Sequence, residues 1–324
     1  MILRRLPPAA ATTLLLALPG AARAQAPPQA PALTGVPALA ECARGSRTLA
    51  FSAAMEGRKA DTLAAVQSVV QTVPLDAVLG MGDSGWILAQ QYAALVRFGL
   101  WDEAIALGPP DARAPGLTAA WLYSRGVALA ARGQIAEART ALRQLQQLAA
   151  GVPADLPAGL NTLHAMLAVA EPIVAARIAA TEQRNADALT LLRQAVAAQD
   201  RLGSEEPADW FFPARHLLGA QLLIAGQPAQ AEAVYREDLA RNPSNGWALY
   251  GLAAALRAQG KAREAARVTH EFEAAWQHAD VRLLASAFWF GGADTTSCEC
   301  QRSASGDGQS RGELLGAQHE AGVH

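Results

Sequence analysis

The chain has 324 residues, with 27 basic and 29 acidic side chains and a formal net charge of −2. This balance excludes binding to nucleic acid through a strongly positive surface. Hydrophobic residues make up 51% of the chain and charged residues 17%, which excludes disorder over most of its length. Aromatic residues are only 6% and much of the apolar content is alanine, so the composition favours closely packed helices over a β-sandwich.

The N-terminus carries the pattern of an export signal. Arg4 and Arg5 precede an apolar stretch that ends at Leu18, and Ala22-Arg23-Ala24 follows as a small-residue cleavage site. We predict a cleavable signal peptide over residues 1–24 and a periplasmic or secreted product. The arginine pair leaves the general and twin-arginine export routes open. Downstream apolar runs are shorter than the roughly 20 residues that a spanning helix needs, which predicts no membrane span in the mature chain.

Composition divides the rest of the chain into three parts. Residues 25–46 are rich in proline and alanine and predict a linker, because proline removes backbone donors and restricts its neighbours. Residues 47–290 show helical patterns, with an irregular middle at 151–212 and a C-terminal cap formed by Trp276 and residues 288–290. Residues 291–324 are polar and predict a disordered tail.

Small residues in the helical part recur with a spacing of 34. The spacing separates Gly99 from Gly133 and Gly226 from Gly260, and it relates five further pairs: Leu95 and Leu129, Ala104 and Ala138, Leu218 and Leu252, Leu222 and Leu256, and Ala231 and Ala265. A 34-residue period with a glycine between two helices is typical of helix-turn-helix repeats. We predict an all-α fold, an α-solenoid, in which the glycines adopt the left-handed conformation and the alanines mark close helix contacts.

The repeats resemble the tetratricopeptide family. The unit near residue 212 places seven residues at consensus positions, and the next unit repeats the pattern: Leu218, Gly219, Leu222, Gly226, Ala231, Tyr235 and Pro243, then Leu252, Ala253, Leu256, Gly260 and Ala265. Segments such as 52–58, 97–103 and 245–251 are similar to exported bacterial tetratricopeptide proteins of unassigned function. The resemblance implies a solenoid whose concave groove binds a protein or a peptide.

The family register assigns seven side chains to that groove: Trp86, Arg97, Tyr123, His216, Trp247, Tyr250 and Arg257. Rings with polar tips suit peptide recognition, because they give contact area at low entropy cost. The competing interpretation is that these rings pack between adjacent helices. Family members that grip a C-terminal carboxylate use an asparagine where this chain has Ala93, Val127, Ala220 and Ala254, so we predict no carboxylate clamp.

The predicted function is therefore a non-enzymatic scaffold or adaptor of the cell envelope, with an unidentified protein or peptide partner and with no cofactor, metal or catalytic residue. The alternative is an enzyme or metal protein with a site at the 201–212 loop or at Cys298 and Cys300. Spacing of these cysteines matches no zinc pattern. The odd count of three, with Cys42, leaves pairing open. The acidic residues of the loop, Glu205, Glu206 and Asp209, are expected to be solvated.

Overall fold

The computed structural model describes residues 36–203 and 206–288, and the side chains from residue 43 onward. Over these residues the chain is all-α, with thirteen α-helices and one two-stranded hairpin. The helices are α1 (Val36–Met55), α2 (Lys59–Thr72), α3 (Leu75–Gly80), α4 (Gln90–Arg97), α5 (Trp101–Ala106), α6 (Pro115–Ala131), α7 (Ile135–Gly151), α8 (Leu163–Thr181), α9 (Asn185–Gln199), α10 (Ala214–Ile224), α11 (Pro228–Arg241), α12 (Gly246–Ala258) and α13 (Ala262–Ala275).

The predicted linker is too long at its C-terminal end. Helix α1 begins at Val36, so residues 36–46 are helical. Pro37 lies in the first turn, where backbone N–H groups have no intrahelical acceptor, so a proline there costs no hydrogen bond. The alanine-rich stretch after it favours a helix. The predicted signal peptide (1–24), the first part of the linker (25–35) and the polar tail (291–324) lie outside the described residues.

Consecutive helices pack in pairs: α1 with α2, α6 with α7, α8 with α9, α10 with α11, and α12 with α13. The predicted turn conformation is confirmed at all four glycines of the 34-residue spacing, with φ of 65°, 76°, 68° and 72° at Gly99, Gly133, Gly226 and Gly260. A side chain with a Cβ is disfavoured in this left-handed region. The alanines predicted at close helix contacts are also buried: Ala104, Ala138, Ala231 and Ala265.

The irregular middle contains a feature that the helical pattern does not predict. A β-hairpin of two-residue strands, β1 (Pro157–Ala158) and β2 (Asn161–Thr162), turns at Gly159 with φ of 69°. It leads directly into α8, whose first turn is capped by the Thr162 hydroxyl accepting from the Ala165 amide. A strand is recognised in a sequence by the alternation of apolar and polar residues, and strands of two residues are too short to show it.

Helix α8 is the central helix of the middle part. By length and composition alone it could cross a membrane, but most of it is buried by other helices, as in the core helix of many globular proteins. Its neighbours α6, α7 and α9 cover it from several sides. A helix surrounded in this way needs no polar face, which explains its uniform hydrophobicity.

The first helix pair, α1 and α2, contacts the last helix pair and the residues that follow it. Trp247 of α12 donates from its indole Nε1 to the carbonyl of Ala54 in α1 at 2.8 Å. The Asp280 carboxylate accepts from the amides of Lys59 and Ala60 at 2.6 and 2.8 Å, where it caps the N-terminus of α2. The array of helix pairs is therefore closed at this point.

Residues 276–288, here called the C-terminal segment, complete this contact. Trp276 packs against Gly57 and Gly246, where a Cβ would overlap its ring. Ser286 donates to the carbonyl of His216 at 2.9 Å, and Phe288 packs against Trp247. In the described part of the predicted cap, aromatic residues thus cover the junction between the first and last helix pairs, while residues 289 and 290 lie outside it.

Candidate binding cleft and the buried network behind it

The seven predicted groove residues do not share one open surface. Five of them are at most 7% exposed: Trp86, Arg97, Tyr123, His216 and Trp247. Tyr250 is half-buried against Phe272, and Arg257 is exposed and donates to the Thr269 hydroxyl at 2.9 Å. In the described structure the five buried side chains line no open groove, because α1, the C-terminal segment and residues 209–212 pack over them.

Two of these side chains, Arg97 and His216, belong to a buried polar network. Arg97 donates from Nη1 to Nδ1 of His216 at 2.9 Å, and Nε2 of His216 lies 2.9 Å from Oδ2 of Asp238. A guanidinium can only donate, so Nδ1 of the imidazole accepts and the ring proton sits on Nε2, which donates to the carboxylate. Asn245 donates to the same carboxylate oxygen at 3.1 Å. The neutral imidazole therefore joins a buried cation to a buried anion.

Aromatic rings surround the cationic end of this network. The Arg97 guanidinium carbon lies 3.8 Å from the centroid of the Trp247 ring and 5.2 Å from that of Phe212. Burial lowers the pKa of Arg97 below its usual range, and the charge of Asp238 opposes this shift. Cation–π attraction and the carboxylate offset part of the cost of removing the guanidinium from water.

Burial also lowers the pKa of His216 from its usual value of 6.5, and the positive charge of Arg97 acts in the same direction, against the carboxylate of Asp238. The unfolded chain then binds the extra proton more readily than the folded chain. We therefore expect the free energy of unfolding to fall as the pH drops below about 6.5, by up to about 1.4 kcal/mol per pH unit from this group. Urea unfolding between pH 7.5 and 5 measures the slope, which His216→Gln should flatten.

The main cleft of the described chain lies on the outer side of this network. Its volume is about 650 Å³, and its walls come from α1, from residues 199–213 and from α11. Thr48, Phe51 and Ser52 form the α1 wall, while Asp238 connects the opposite wall to His216. This volume is within the usual range for a ligand-binding pocket.

Three of the charged groups in the cleft walls are paired with each other. Asp200 accepts from Arg215 at 2.6 and 2.7 Å and from Arg241 at 2.6 Å. The hydrogen bonds from Arg215 lower the pKa of Asp200, although partial burial opposes them. Carboxamides stand beside these pairs at Asn161, Gln199 and Asn242. The cleft thus combines balanced charges with neutral groups that can both donate and accept.

Asp209 is buried, which corrects the expectation that the acidic residues of this loop are solvated. Its carboxylate pairs with Arg47 at 3.1 Å and accepts from the amide of Leu160 at 2.9 Å. The Asn161 side chain donates to it at 2.8 Å. Asp209 therefore anchors the β-hairpin and α1 to the cleft wall. Glu206 is exposed as expected, and Glu205 lies outside the described residues.

A second carboxylate, Asp83, holds the hairpin from the other side, where it accepts from the amide of Gly159 at 2.9 Å. Burial raises the pKa of Asp83, and the nearby charge of Asp209 adds to the shift, while three backbone amides oppose it. The role of these two carboxylates is to fix the loop, because their oxygens are occupied by backbone and side-chain donors.

The described residues contain no group of three or more His, Cys, Asp and Glu side chains that could hold a metal ion. The alternative metal site at Cys298 and Cys300 lies outside them, and nothing in the 201–203 and 206–212 parts of the loop provides a ligand set.

The described chain has a second depression, of about 700 Å³, which lies between α5, α6 and α7 and contains Arg125, Glu137 and Thr140. It is more open than the main cleft.

Sequence reasoning missed Asp200, Asp238 and Arg241 as parts of this region. A signal was available for Asp238, which follows Ala231 and Tyr235 by seven and three residues and so falls on the buried stripe of α11. The pair formed by Asp200 and Arg241 joins elements 41 residues apart, and no local pattern indicates it.

Comparison of the chain with protein-family models, with curated proteins and with solved structures gave no match.

Proposed function

We propose that the protein is a non-enzymatic scaffold or adaptor of the cell envelope, exported by its N-terminal signal, and that it binds a segment of a protein partner in the cleft between α1, residues 199–213 and α11. The observation that carries the proposal is this cleft, with a volume of about 650 Å³ and walls of mixed polar and apolar character. It takes the place of the concave groove, whose predicted residues are largely buried.

The chemistry of the cleft suits a peptide backbone. Asp200 and Glu206 together balance the charges of Arg215 and Arg241, which gives the site little net attraction for an ion. Carboxamides at Gln199 and Asn242 offer the donors and acceptors that a peptide group requires, and Phe51, Leu202 and Pro213 offer apolar contact. A site of this kind recognises an extended segment through hydrogen bonds and a few apolar side chains.

The repeat pattern supports the same class of function. Helix pairs that turn at left-handed glycines, with a 34-residue spacing in two places, agree with the proposed tetratricopeptide-like solenoid. Contact between the first and last helix pairs would make this solenoid a closed one. A fold alone does not identify a ligand, so the binding proposal depends on the cleft.

Photo-crosslinking tests the proposal in cells that naturally make the protein. A photoreactive phenylalanine replaces Thr48 in the cleft, Thr140 in the second depression, or Thr190 on α9. All three are exposed helical threonines whose hydroxyls donate to the carbonyl four residues earlier, so the variants are matched. We expect an envelope-protein crosslink at position 48 only, mapped by mass spectrometry to one segment of the partner.

Equal yields at the three positions would show non-specific contact and would contradict the cleft as the binding site. A crosslink at position 140 alone would assign binding to the second depression. Absence of a crosslink at position 48, together with a stoichiometric metal on the purified full-length chain, would favour the alternative of a metal protein.

A further inference from the structure

The tip of the β-hairpin presents an apolar side chain to solvent. Ala158 pairs with Asn161, so Gly159 and Leu160 form a two-residue turn. Leu160 is 66% exposed, more than any other large apolar side chain of the described chain. Gly, Asn, Asp and Ser are the usual residues of such turns, because glycine adopts the required backbone conformations and the other three bond to the neighbouring backbone. An exposed leucine is therefore unusual in a turn that only connects two strands.

Hydrogen bonds hold the backbone of this turn. The amide of Leu160 donates to the Asp209 carboxylate at 2.9 Å, and the amide of Gly159 donates to Asp83, also at 2.9 Å. A Cβ at Gly159 would lie 2.2 Å from the nearest Asp209 oxygen, so the turn fits closely against this carboxylate. A single exposed leucine on a protein surface is ordinary. Leu160 differs because two carboxylates fix the backbone that carries it.

The turn lies at the rim of the main cleft. Asn161, the next residue, lines the cleft, and so does Asp209, which accepts from the Leu160 amide. The Asn161 carboxamide also accepts from the amide of Gly203 at 2.7 Å, and Gly203 belongs to the cleft wall formed by residues 199–213. A segment that lies in the cleft and extends past Asn161 therefore reaches Leu160.

We infer that Leu160 is a specificity-determining contact of the cleft, which selects partner segments with a large apolar side chain where the segment leaves the cleft beside Asn161. The inference rests on the proposed peptide-binding function and names the chemistry of the partner. Contact between two apolar side chains is favourable because their surface leaves water. The fixed turn adds to this, since little conformational freedom of its backbone is lost on binding.

Binding of a synthetic peptide tests the inference. The peptide is the partner segment to which the crosslink at position 48 maps, and its fluorescence anisotropy measures the affinity for the purified full-length chain. We expect Leu160→Ser to weaken binding about tenfold, because the apolar contact is lost. Leu284→Ser is the matched control, since Leu284 is 49% exposed and neither it nor its chain neighbours line the cleft. Both changes replace an exposed leucine, so both variants should fold like the parent.

Changes in the peptide identify the other side of the contact. Serine replaces each large apolar residue of the peptide in turn, and at one position this should weaken binding to the parent about tenfold. The same peptide change should have little further effect on the Leu160→Ser variant, because the two partners of one contact do not contribute independently. Fully additive effects at every peptide position would contradict a direct contact with Leu160.

Three further outcomes separate this inference from the proposed function. Equal affinities of the parent, Leu160→Ser and Leu284→Ser would overturn the inference and leave the cleft as the binding site. A mapped segment without any large apolar residue would do the same. Absence of a crosslink at position 48 in the parent would contradict the proposed function, and the inference would fail with it.

Discussion

Asp238→Leu is expected to lower the free energy of unfolding by about 3–5 kcal/mol, because it removes the anion from a buried charge network. Asp238 is 1% exposed and its carboxylate accepts from His216 and Asn245. Without it, the cationic Arg97 stays buried beside a histidine that has lost its acceptor. Urea unfolding measures the loss, provided that the slope of the transition is unchanged.

Glu237→Leu is the matched control, since it is the neighbouring acid on α11 and its side chain is 63% exposed. Its effect should stay within about 0.5 kcal/mol. Adding Arg97→Met to Asp238→Leu should recover part of the lost stability, because the double variant leaves no unpaired guanidinium in the interior. Equal effects of Asp238→Leu and Glu237→Leu would contradict the network as a source of stability.

The local parts of this fold could be predicted from the sequence. Gly133 and Gly260 were expected in the left-handed conformation between two helices, and their φ values of 76° and 72° confirm it. Ala138 and Ala265 were expected at close helix contacts, and both are buried. These features depend on backbone sterics and on spacing within one repeat, which a periodic pattern records directly.

Contacts between distant parts of the chain could not be predicted. The register assigned Arg97, His216 and Trp247 to an open groove, whereas all three side chains are buried. What buries them is α1 and the C-terminal segment, through contacts such as the hydrogen bond from Trp247 to Ala54, 193 residues away in sequence. A repeat pattern describes how neighbouring units stack and contains no information about closure of the array.

The candidate cleft also has a part that the sequence predicts and a part that only the tertiary structure shows. Residues 201–212 were identified as an alternative site from their composition, and the cleft does include this part of the chain. The buried role of Asp209 depends on Arg47, which is 162 residues away and on helix α1. Exposed loops are usually polar, but a loop that meets a distant helix can hold a buried ion pair, and only the tertiary structure distinguishes the two cases.

Trp247→Ala is expected to cost about 3–5 kcal/mol, as for other large aromatic residues removed from a core. The side chain is fully buried and contacts Arg97, Trp276 and Phe288. Its loss would leave a cavity at the junction of the first and last helix pairs and would also leave the carbonyl of Ala54 without its indole donor. Thermal or urea unfolding of the full-length chain measures the effect.

Arg257→Ala, at another predicted groove position on α12, provides the control. Its side chain is exposed, so the change should alter stability by no more than about 0.5 kcal/mol. If Trp247→Ala proved as mild as Arg257→Ala, the closed arrangement of the first and last helix pairs would be wrong. The expected contrast also bears on binding experiments. Loss of a partner in a Trp247 variant would report unfolding of this junction, so the cleft has to be tested at surface positions such as Thr48, where substitution leaves the core intact.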